Sequence, residues 1–257
     1  MTQPLSTAEL AEVYLGEVSD LLQQIKTGSD QAVDAAAELL AEQIASDRLV
    51  HIFGPGGHSN LASQEVFFRA GGLMHFSAIL DEGTMLAGGA LRSMAIERTP
   101  GYGRIVIENA GLGPDDLLIL VNAYGINAAL IDAALTAIQL GVRTIGVSSR
   151  RHAENTATNH PARHPSHQNL HDVVNLHIDT KVPIGDAIVA LPGVEEQAGA
   201  VSTFTNAFTL NWLVLATISK LTTRAIEPPM WRSGNAPGGD EANQRFISRF
   251  RGRVRSL

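Results

Sequence analysis

The sequence predicts a three-layer α/β/α domain around a mostly parallel β-sheet. Two observations, which hold along the whole chain of 257 residues, favour this class. Short apolar runs of strand type alternate with amphipathic helical patterns, and glycine-rich or polar turns separate them. Strands that alternate with helices are typically parallel and covered on both faces. We expect one domain over residues 1–257, with N-terminal helices (1–47), an α/β core (48–222) and a C-terminal extension (223–257).

The individual elements follow from periodicity and from helix-breaking residues. Two N-terminal helices are predicted, separated at Gly28 and Ser29. Further helices are predicted over 85–97, 127–140 and 203–221, while the segment after Pro228 is expected to be irregular. The segment 150–170 is predicted to be polar loop with a helical piece. The strand candidates are 49–53, 74–80, 104–107, 117–121, 143–147 and 173–178.

Composition and charge restrict the classes of function. The chain is 44% hydrophobic and 18% charged, as is typical of a globular protein. A net charge of −7 argues against a nucleic-acid partner. The absence of cysteine excludes disulfides and a cysteine nucleophile. The N-terminus lacks the pattern of an export signal and no apolar run would span a bilayer, so we expect a cytoplasmic protein without a membrane partner.

The C-terminal tail is a local exception to the acidic character of the chain. Its basic residues predict a solvated or subunit-contacting end, with an anion-binding tail as the alternative. They are Arg245, Arg249, Arg251, Arg253 and Arg255.

The segment 49–72, LVHIFGPGGHSNLASQEVFFRAGG, carries the strongest local signal of a ligand site. A strand is followed by a glycine turn and then by a helix, so that the first helical N–H groups can face a polar or anionic ligand. The dinucleotide pattern G-x-G-x-x-G is not met, although Asp81 after the second strand could mimic a ribose-binding acid. The predicted ligand-binding residues of this turn are Gly56, Gly57, Ser59 and Asn60.

Other polar loops follow buried strands at the same predicted edge of the sheet. Polar side chains there often serve only as helix caps, but several in a row favour a pocket for a polyol or a phosphate. Besides the turn at 81–84, these loops lie at 122–127 and 148–151. Their predicted ligand-binding residues are Asn122, Tyr124, Gly125, Asn127, Ser148 and Ser149.

Together these motifs resemble the SIS (sugar isomerase) domain family, most closely a bacterial branch described as phosphosugar-binding or phosphoheptose-isomerase-like. The segments that carry the resemblance are HIFGPGGHS, FFRAGG, the Glu97-Arg98 element with Gly101-Tyr102, KVPIGDA and EPP…NAPGGDEAN. The resemblance implies a five-stranded parallel sheet of flavodoxin-like order. It also implies homodimers or homotetramers, and a sugar or sugar phosphate as the ligand.

The second loop departs from the family's pattern. Family members commonly have S-x-S-G-x-[ST] there, whereas this chain has Asn122, Tyr124, Gly125 and Asn127 in NAYGIN. A phosphate is bound best by several converging donors. Either the phosphate lies nearer to the serines of the other loops, or the ligand is a different sugar, such as a sugar acid or a sulfonated sugar.

Glu65, His58 and Glu97 are the candidates for acid–base catalysis. An aldose–ketose isomerase moves a proton between neighbouring carbons through an enediol, for which one carboxylate or imidazole suffices. Glu65 lies on the helix where SIS enzymes often carry a catalytic glutamate, and is the predicted base, with His58 assisting. Structural alternatives remain open: Glu65 in a surface ion pair, Glu97 paired with Arg98 or Arg92, and His58 ordering its loop.

The histidines between residues 152 and 177 leave one further alternative. His160, His164, His167 and His171 have helical spacing that could bind a metal, but Pro161 and Pro165 interrupt such a helix. A polar lid is favoured, and neither a metal nor another cofactor is expected.

The leading hypothesis is an aldose–ketose isomerase. The alternatives are a non-catalytic phosphosugar sensor and a SIS-type lyase or etherase.

Overall fold

The computed structural model describes residues 5–257 and contains a five-stranded sheet in which every neighbouring pair is parallel. The strand order β2-β1-β3-β4-β5 is flavodoxin-like. This confirms the predicted fold class. The prediction that the N-terminus lacks an export signal involves residues 1–4, which lie outside the described residues. The strands are β1 (Val50–Phe53), β2 (Phe76–Ala78), β3 (Leu117–Val121), β4 (Arg143–Ser148) and β5 (Leu176–Asp179).

Helices cover both faces of this sheet. They are α1 (Thr7–Ala45), α2 (Gly57–Val66), α3 (Ala90–Glu97), α4 (Tyr102–Ala110), α5 (Ala128–Gln139), α6 (Arg150–Asn155), α7 (Leu170–Val173), α8 (Ser202–Thr223) and α9 (Gly239–Phe250). Apolar residues of α1, α2 and α8 form one core with the sheet. Those of α4, α5 and α7 form the core on the opposite face. A small antiparallel pair, β6 (Ala187–Val189) and β7 (Ala198–Ala200), was not predicted.

The prediction of two N-terminal helices is wrong, because α1 is one helix of 39 residues. Glycine in a helix interior costs about 1 kcal/mol relative to alanine, which tertiary packing easily outweighs. Ser29 is buried and its hydroxyl donates to the carbonyl of Asp179 at 2.8 Å. Val33 and Leu40 then bury the next turns against the sheet. Gly28 and Ser29, which were expected to end the helix, therefore lie where α1 contacts β5.

Three other local predictions are corrected. The segment 104–107 is helical rather than extended: it lies in α4, whose Val106 and Ile107 face the core, and short apolar runs do not distinguish the two states. The helix expected from residue 85 begins only at Ala90, because Gly89 has φ +110° and two 3₁₀ turns precede it. The C-terminal segment is not irregular throughout, since α9 buries Phe250.

The sheet brings the predicted polar loops to one edge. Because β1, β3 and β4 are adjacent and parallel, the loops that follow them share the carboxyl end of the sheet. The backbone N–H groups of His164 and Leu170 tie the segment 150–170 to the carbonyls of Ile126 and Gly125 in the loop after β3. Within the segment, the Arg163 guanidinium donates to the carbonyls of Thr156 and Ala157 and to the side chain of Asn169. Among the described residues, no helix combines the length and the apolar character needed to cross a membrane.

Candidate active site

The glycine turn after β1 brings its backbone close to a carboxylate. Gly56 has φ +102° and occupies the position before the first residue of α2. A Cβ atom added there would lie 2.8 Å from both carboxylate oxygens of Glu97. At Gly57 a Cβ atom would overlap the side chain of Leu86. Glycine at residue 56 is thus required both by its backbone conformation and by the carboxylate above it.

Asn122 joins this turn to the loop after β3. Its Nδ2 group donates to Glu97 Oε1 at 3.3 Å, to Ser59 Oγ at 3.1 Å and to the carbonyl of Pro55 at 3.2 Å. The side chain is almost fully buried, at 3% exposure. We refer to Gly56, Ser59, Glu97 and Asn122 as the Glu97 cluster. Four of the predicted site residues are therefore brought together at the carboxyl edge of the sheet.

The carboxylate of Glu97 has the electrostatic character of an acid–base catalyst. Burial raises its pKa to about 7, against the weaker opposing effects of the Asn122 hydrogen bond and of the Arg98 charge. A group with such a pKa exchanges protons readily near neutral pH. Pairing with Arg98 or Arg92 was the structural alternative, and no ion pair of Glu97 occurs within the described residues.

A buried threonine that was not predicted positions the helix that carries Glu97. The carbonyl of Thr84 accepts from Ser93 Oγ at 2.7 Å and from Asn60 Nδ2 at 3.2 Å. Ser93 lies one turn before Glu97 on α3, and Asn60 lies in the first turn of α2. Asp81 accepts from the backbone N–H of Thr84 at 2.9 Å. The only sequence signal for this arrangement is the spacing of Asp81 and Thr84, which is typical of a cap.

Tyr124 extends the site toward the loop before β6. Its ring stacks on that of His152, with centroids 3.7 Å apart. Burial raises the pKa of Tyr124 to about 12, with further contributions from the charges of Asp186 and Glu97. The phenol therefore keeps its proton and can donate a hydrogen bond.

Asp186 is a second residue that was not among the predicted site residues. It accepts from the backbone N–H and the hydroxyl of Ser202 and so caps α8.

The remaining predicted ligand-binding residues are mostly engaged within the protein. Ser148 Oγ lies 2.9 Å from His177 Nε2, and Ser149 Oγ donates to the carbonyl of Val182 at 2.6 Å. Gly125 has φ +71° and a Cβ atom there would overlap Ser148. Asn127 precedes α5, and its buried Oδ1 atom has no hydrogen-bond partner within the described residues.

The side chains of Glu65 and His58 make no hydrogen bond to Glu97 or Asn122 within the described residues. Glu65 Oε1 accepts from Asn211 Nδ2 of α8 at 3.0 Å and lies 3.5 Å from Arg69. It lines a separate cleft of about 340 Å³ between α2 and α8. His58 is exposed in the first turn of α2. The structure therefore brings Glu97 into contact with the predicted binding loops, whereas Glu65 contacts α8 and His58 is an exposed residue of the glycine turn itself.

The histidines of the segment 152–177 are dispersed into separate interactions. His164 Nε2 lies 3.0 Å from Asp132, and His167 contacts the carbonyl of Thr158. His171 packs edge-on against His177. Among residues 5–257, no group of three or more potential metal ligands is found. The helical face of four histidines, which was the alternative to a polar lid, is thus not formed.

A parallel, doubly wound sheet with a carboxylate of raised pKa at its carboxyl edge defines the protein as an α/β protein of flavodoxin-like topology. The SIS domain model matches residues 13–149. A UPF0309 protein of Streptomyces griseus is 34% identical over 252 residues, covering 97% of this chain and 98% of the relative. A UPF0309 protein of Geobacillus kaustophilus is 33% identical and covers 94% of each chain. The chain belongs to the SIS-domain family.

Solved structures support the same fold. A phosphoheptose isomerase from Francisella tularensis has a TM-score of 0.54 at 13% identity, covering 83% of this chain and 98% of that chain. A phosphoheptose isomerase from Neisseria gonorrhoeae has a TM-score of 0.52 at 13% identity, covering 82% and 98%. At this identity the likeness shows the fold alone.

The raised pKa of Glu97 predicts a pH-dependent stability. Because the pKa is raised from 4.5 to about 7 in the folded state, the ionised carboxylate disfavours folding. The resulting loss of unfolding free energy is absent below about pH 4.5 and complete above about pH 7. Relative to the wild type, Glu97→Gln should therefore gain up to about 3 kcal/mol of unfolding free energy as the pH rises through this window.

Urea denaturation at a series of pH values measures this gain. Glu65→Gln, outside the cluster, is the matched control for replacing a glutamate by glutamine. If the difference in unfolding free energy between Glu97→Gln and the wild type stayed constant with pH, it would contradict the raised pKa of Glu97.

Proposed function

We propose that this protein is an aldose–ketose isomerase that acts on a phosphorylated sugar, with Glu97 as its acid–base group. One observation carries the proposal: a carboxylate with a pKa of about 7 lies against the glycine turn, hydrogen-bonded to a buried amide. Membership of the SIS-domain family supports a sugar phosphate as the substrate class.

The transfer between the two carbons requires a single proton carrier. Ionised Glu97 removes the proton from the carbon next to the carbonyl of the open-chain sugar, which leaves an enediolate. The protonated carboxyl then returns the proton to the former carbonyl carbon. The proton of the neighbouring hydroxyl passes to the former carbonyl oxygen, so that this hydroxyl becomes the carbonyl. No electron acceptor is consumed, because one carbon is oxidised while its neighbour is reduced.

Tyr124 is the proposed donor to the enediolate oxygen. Its pKa of about 12 keeps the phenol protonated at neutral pH. The same burial that raises the pKa also excludes water, which strengthens a hydrogen bond to developing negative charge. Its ring is held in place by the stack on His152.

The phosphate is proposed to bind at the first turn of α2. This helix has no side-chain cap, and Gly57 and His58 in its first turn are not buried. The N–H groups of Tyr124 and Gly125 do not serve this purpose, because Asn122 Oδ1 accepts from both at 3.0 Å. With asparagine in place of serine in this loop, the start of α2 is the proposed anion site.

Glu65 and His58 have other roles in this proposal. Glu65 is held by Asn211 and Arg69 and is not the base. His58 is exposed beside the glycine turn, where it is positioned to assist ring opening of the incoming sugar.

Isotope exchange separates the two glutamates. A panel of sugar phosphates, free sugars and sugar acids is screened by thermal shift, and each hit is incubated in deuterium oxide and followed by proton NMR. Glu97→Gln should abolish deuterium entry beside the carbonyl while binding is retained, and Glu65→Gln should leave exchange within about threefold of the wild type. In the wild type, exchange should rise with pH to a plateau above about 7, since the ionised base is required.

Two outcomes would contradict this assignment. Tight binding without exchange by the wild type would indicate a sensor rather than an isomerase. Full exchange by Glu97→Gln would remove Glu97 from the mechanism.

We further propose that the protein forms a homodimer or a dimer of dimers through α1 and α8. These helices border a groove of about 820 Å³ and expose Leu15, Phe204 and Leu215 at 67%, 49% and 65%. Lys26 and Asp30 line the same groove one turn apart, and neither makes an ion pair within the described residues. A two-fold axis through the groove would place Lys26 of one copy opposite Asp30 of the other.

A charge on this face should weaken self-association. Leu215→Glu is expected to lower the mass measured by sedimentation velocity, because it would bury a carboxylate in an apolar contact. Ile138→Glu is the control, since Ile138 is 39% exposed on α5, away from the groove. An unchanged mass for Leu215→Glu would refute the interface.

A further inference from the structure

A second polar cavity lies between the edge strand β2, helix α4 and the C-terminal tail. It has a volume of about 560 Å³ and shares no residue with the Glu97 cluster. We call it the tail cavity. The lining residues that bear on its chemistry are Asp81, Glu82, Tyr102, Asn109, Arg253 and Arg255.

The arginines of the tail differ in their partners. Arg249 and Arg253 both contact the Asp47 carboxylate and lie over the ring of Phe250, so they hold the tail in place. Arg255 has a different environment: its Nη1 donates to the carbonyl of Asn109 at 3.3 Å. It makes no ion pair within residues 5–257. Arg255 therefore presents a cation with free donors to the cavity.

The other end of the cavity carries hydrogen-bond acceptors. Tyr102 and Asn109 lie at opposite ends of α4, roughly 10 Å apart at about 1.5 Å per residue. Tyr102 donates to Asp81 Oδ1 at 3.0 Å, and Glu82 is exposed without a side-chain hydrogen bond in the described part of the chain. Because Asp81 also caps the turn at Thr84, its carboxylate is already oriented. A ligand would not have to order it.

This arrangement matches a ligand with an anion at one end and hydroxyl groups at the other. Arginine binds phosphate through paired charge-assisted hydrogen bonds, and carboxylates accept from hydroxyl groups. Because Arg253 is paired with Asp47, Arg255 is the one arginine without an acidic partner among the described lining residues, and a single such cation disfavours a polyanion. We infer that the tail cavity is a second binding site for a monophosphorylated polyol of sugar size. The inference is independent of the chemistry proposed for Glu97.

Calorimetric titration with sorbitol 6-phosphate tests this site, because that polyol has no carbonyl and cannot be isomerised. Arg255→Gln should weaken one binding event at least tenfold, as expected for the loss of a charge-assisted contact. Arg251→Gln is the matched control, since Arg251 is an exposed tail arginine outside the cavity. Glucose 6-phosphate and sorbitol are titrated alongside, and sorbitol should not bind measurably.

Two results would overturn the inference: unchanged affinity of Arg255→Gln, or no binding of either phosphate by the wild type at millimolar concentration. The isomerase proposal fails separately, by the absence of isotope exchange. Loss of binding in Arg255→Gln together with a wild type that shows no exchange would support the tail cavity and refute the isomerase.

Discussion

The hydrogen bonds of the Asn122 side chain are the interaction on which the candidate site depends. One buried amide group contacts the carbonyl of Pro55, the hydroxyl of Ser59 and the carboxylate of Glu97. Its oxygen meanwhile closes the loop after β3. Removing an amide in such a position would leave several buried polar groups unpaired. These contacts fix the position of Glu97 over Gly56. Burial at that position raises the pKa of Glu97 and outweighs the hydrogen bond from Asn122, which lowers it.

The same asparagine changes how this site would hold a ligand. In the family pattern that the sequence resembles, serines occupy the loop after β3. In this chain the asparagine reaches further and uses two backbone N–H groups of its own loop, while Tyr124 fills the space beside it. The loop after β3 therefore offers fewer free N–H donors to a ligand. The half-buried carboxylate of Glu97 and the protonated phenol of Tyr124 lie beside this loop.

The sequence predicted the architecture better than the contacts within the site. Alternating strands and helices predicted the parallel sheet, since buried strands such as Leu117–Val121 are strongly apolar. Local propensity failed where tertiary contacts dominate, as at Ser29, whose hydroxyl bonds to β5 in the middle of α1. Glu65 and Glu97 could not be ranked by sequence, because their burial depends on which helix packs over Gly56. Thr84 and Asp186 act through backbone groups that leave little trace in the sequence.

The most direct test of this account is the titration of the Glu97 carboxyl group itself. Carbon-13 NMR of glutamate-labelled protein, with the Glu97 signal assigned by its loss in Glu97→Gln, follows the side-chain carbon as the pH is changed. We expect a midpoint of about 7, because burial keeps the carboxylate away from water and outweighs the Asn122 hydrogen bond, which lowers the pKa. A midpoint near the ordinary value of 4.5 would show that the carboxylate is solvated and would contradict the central claim.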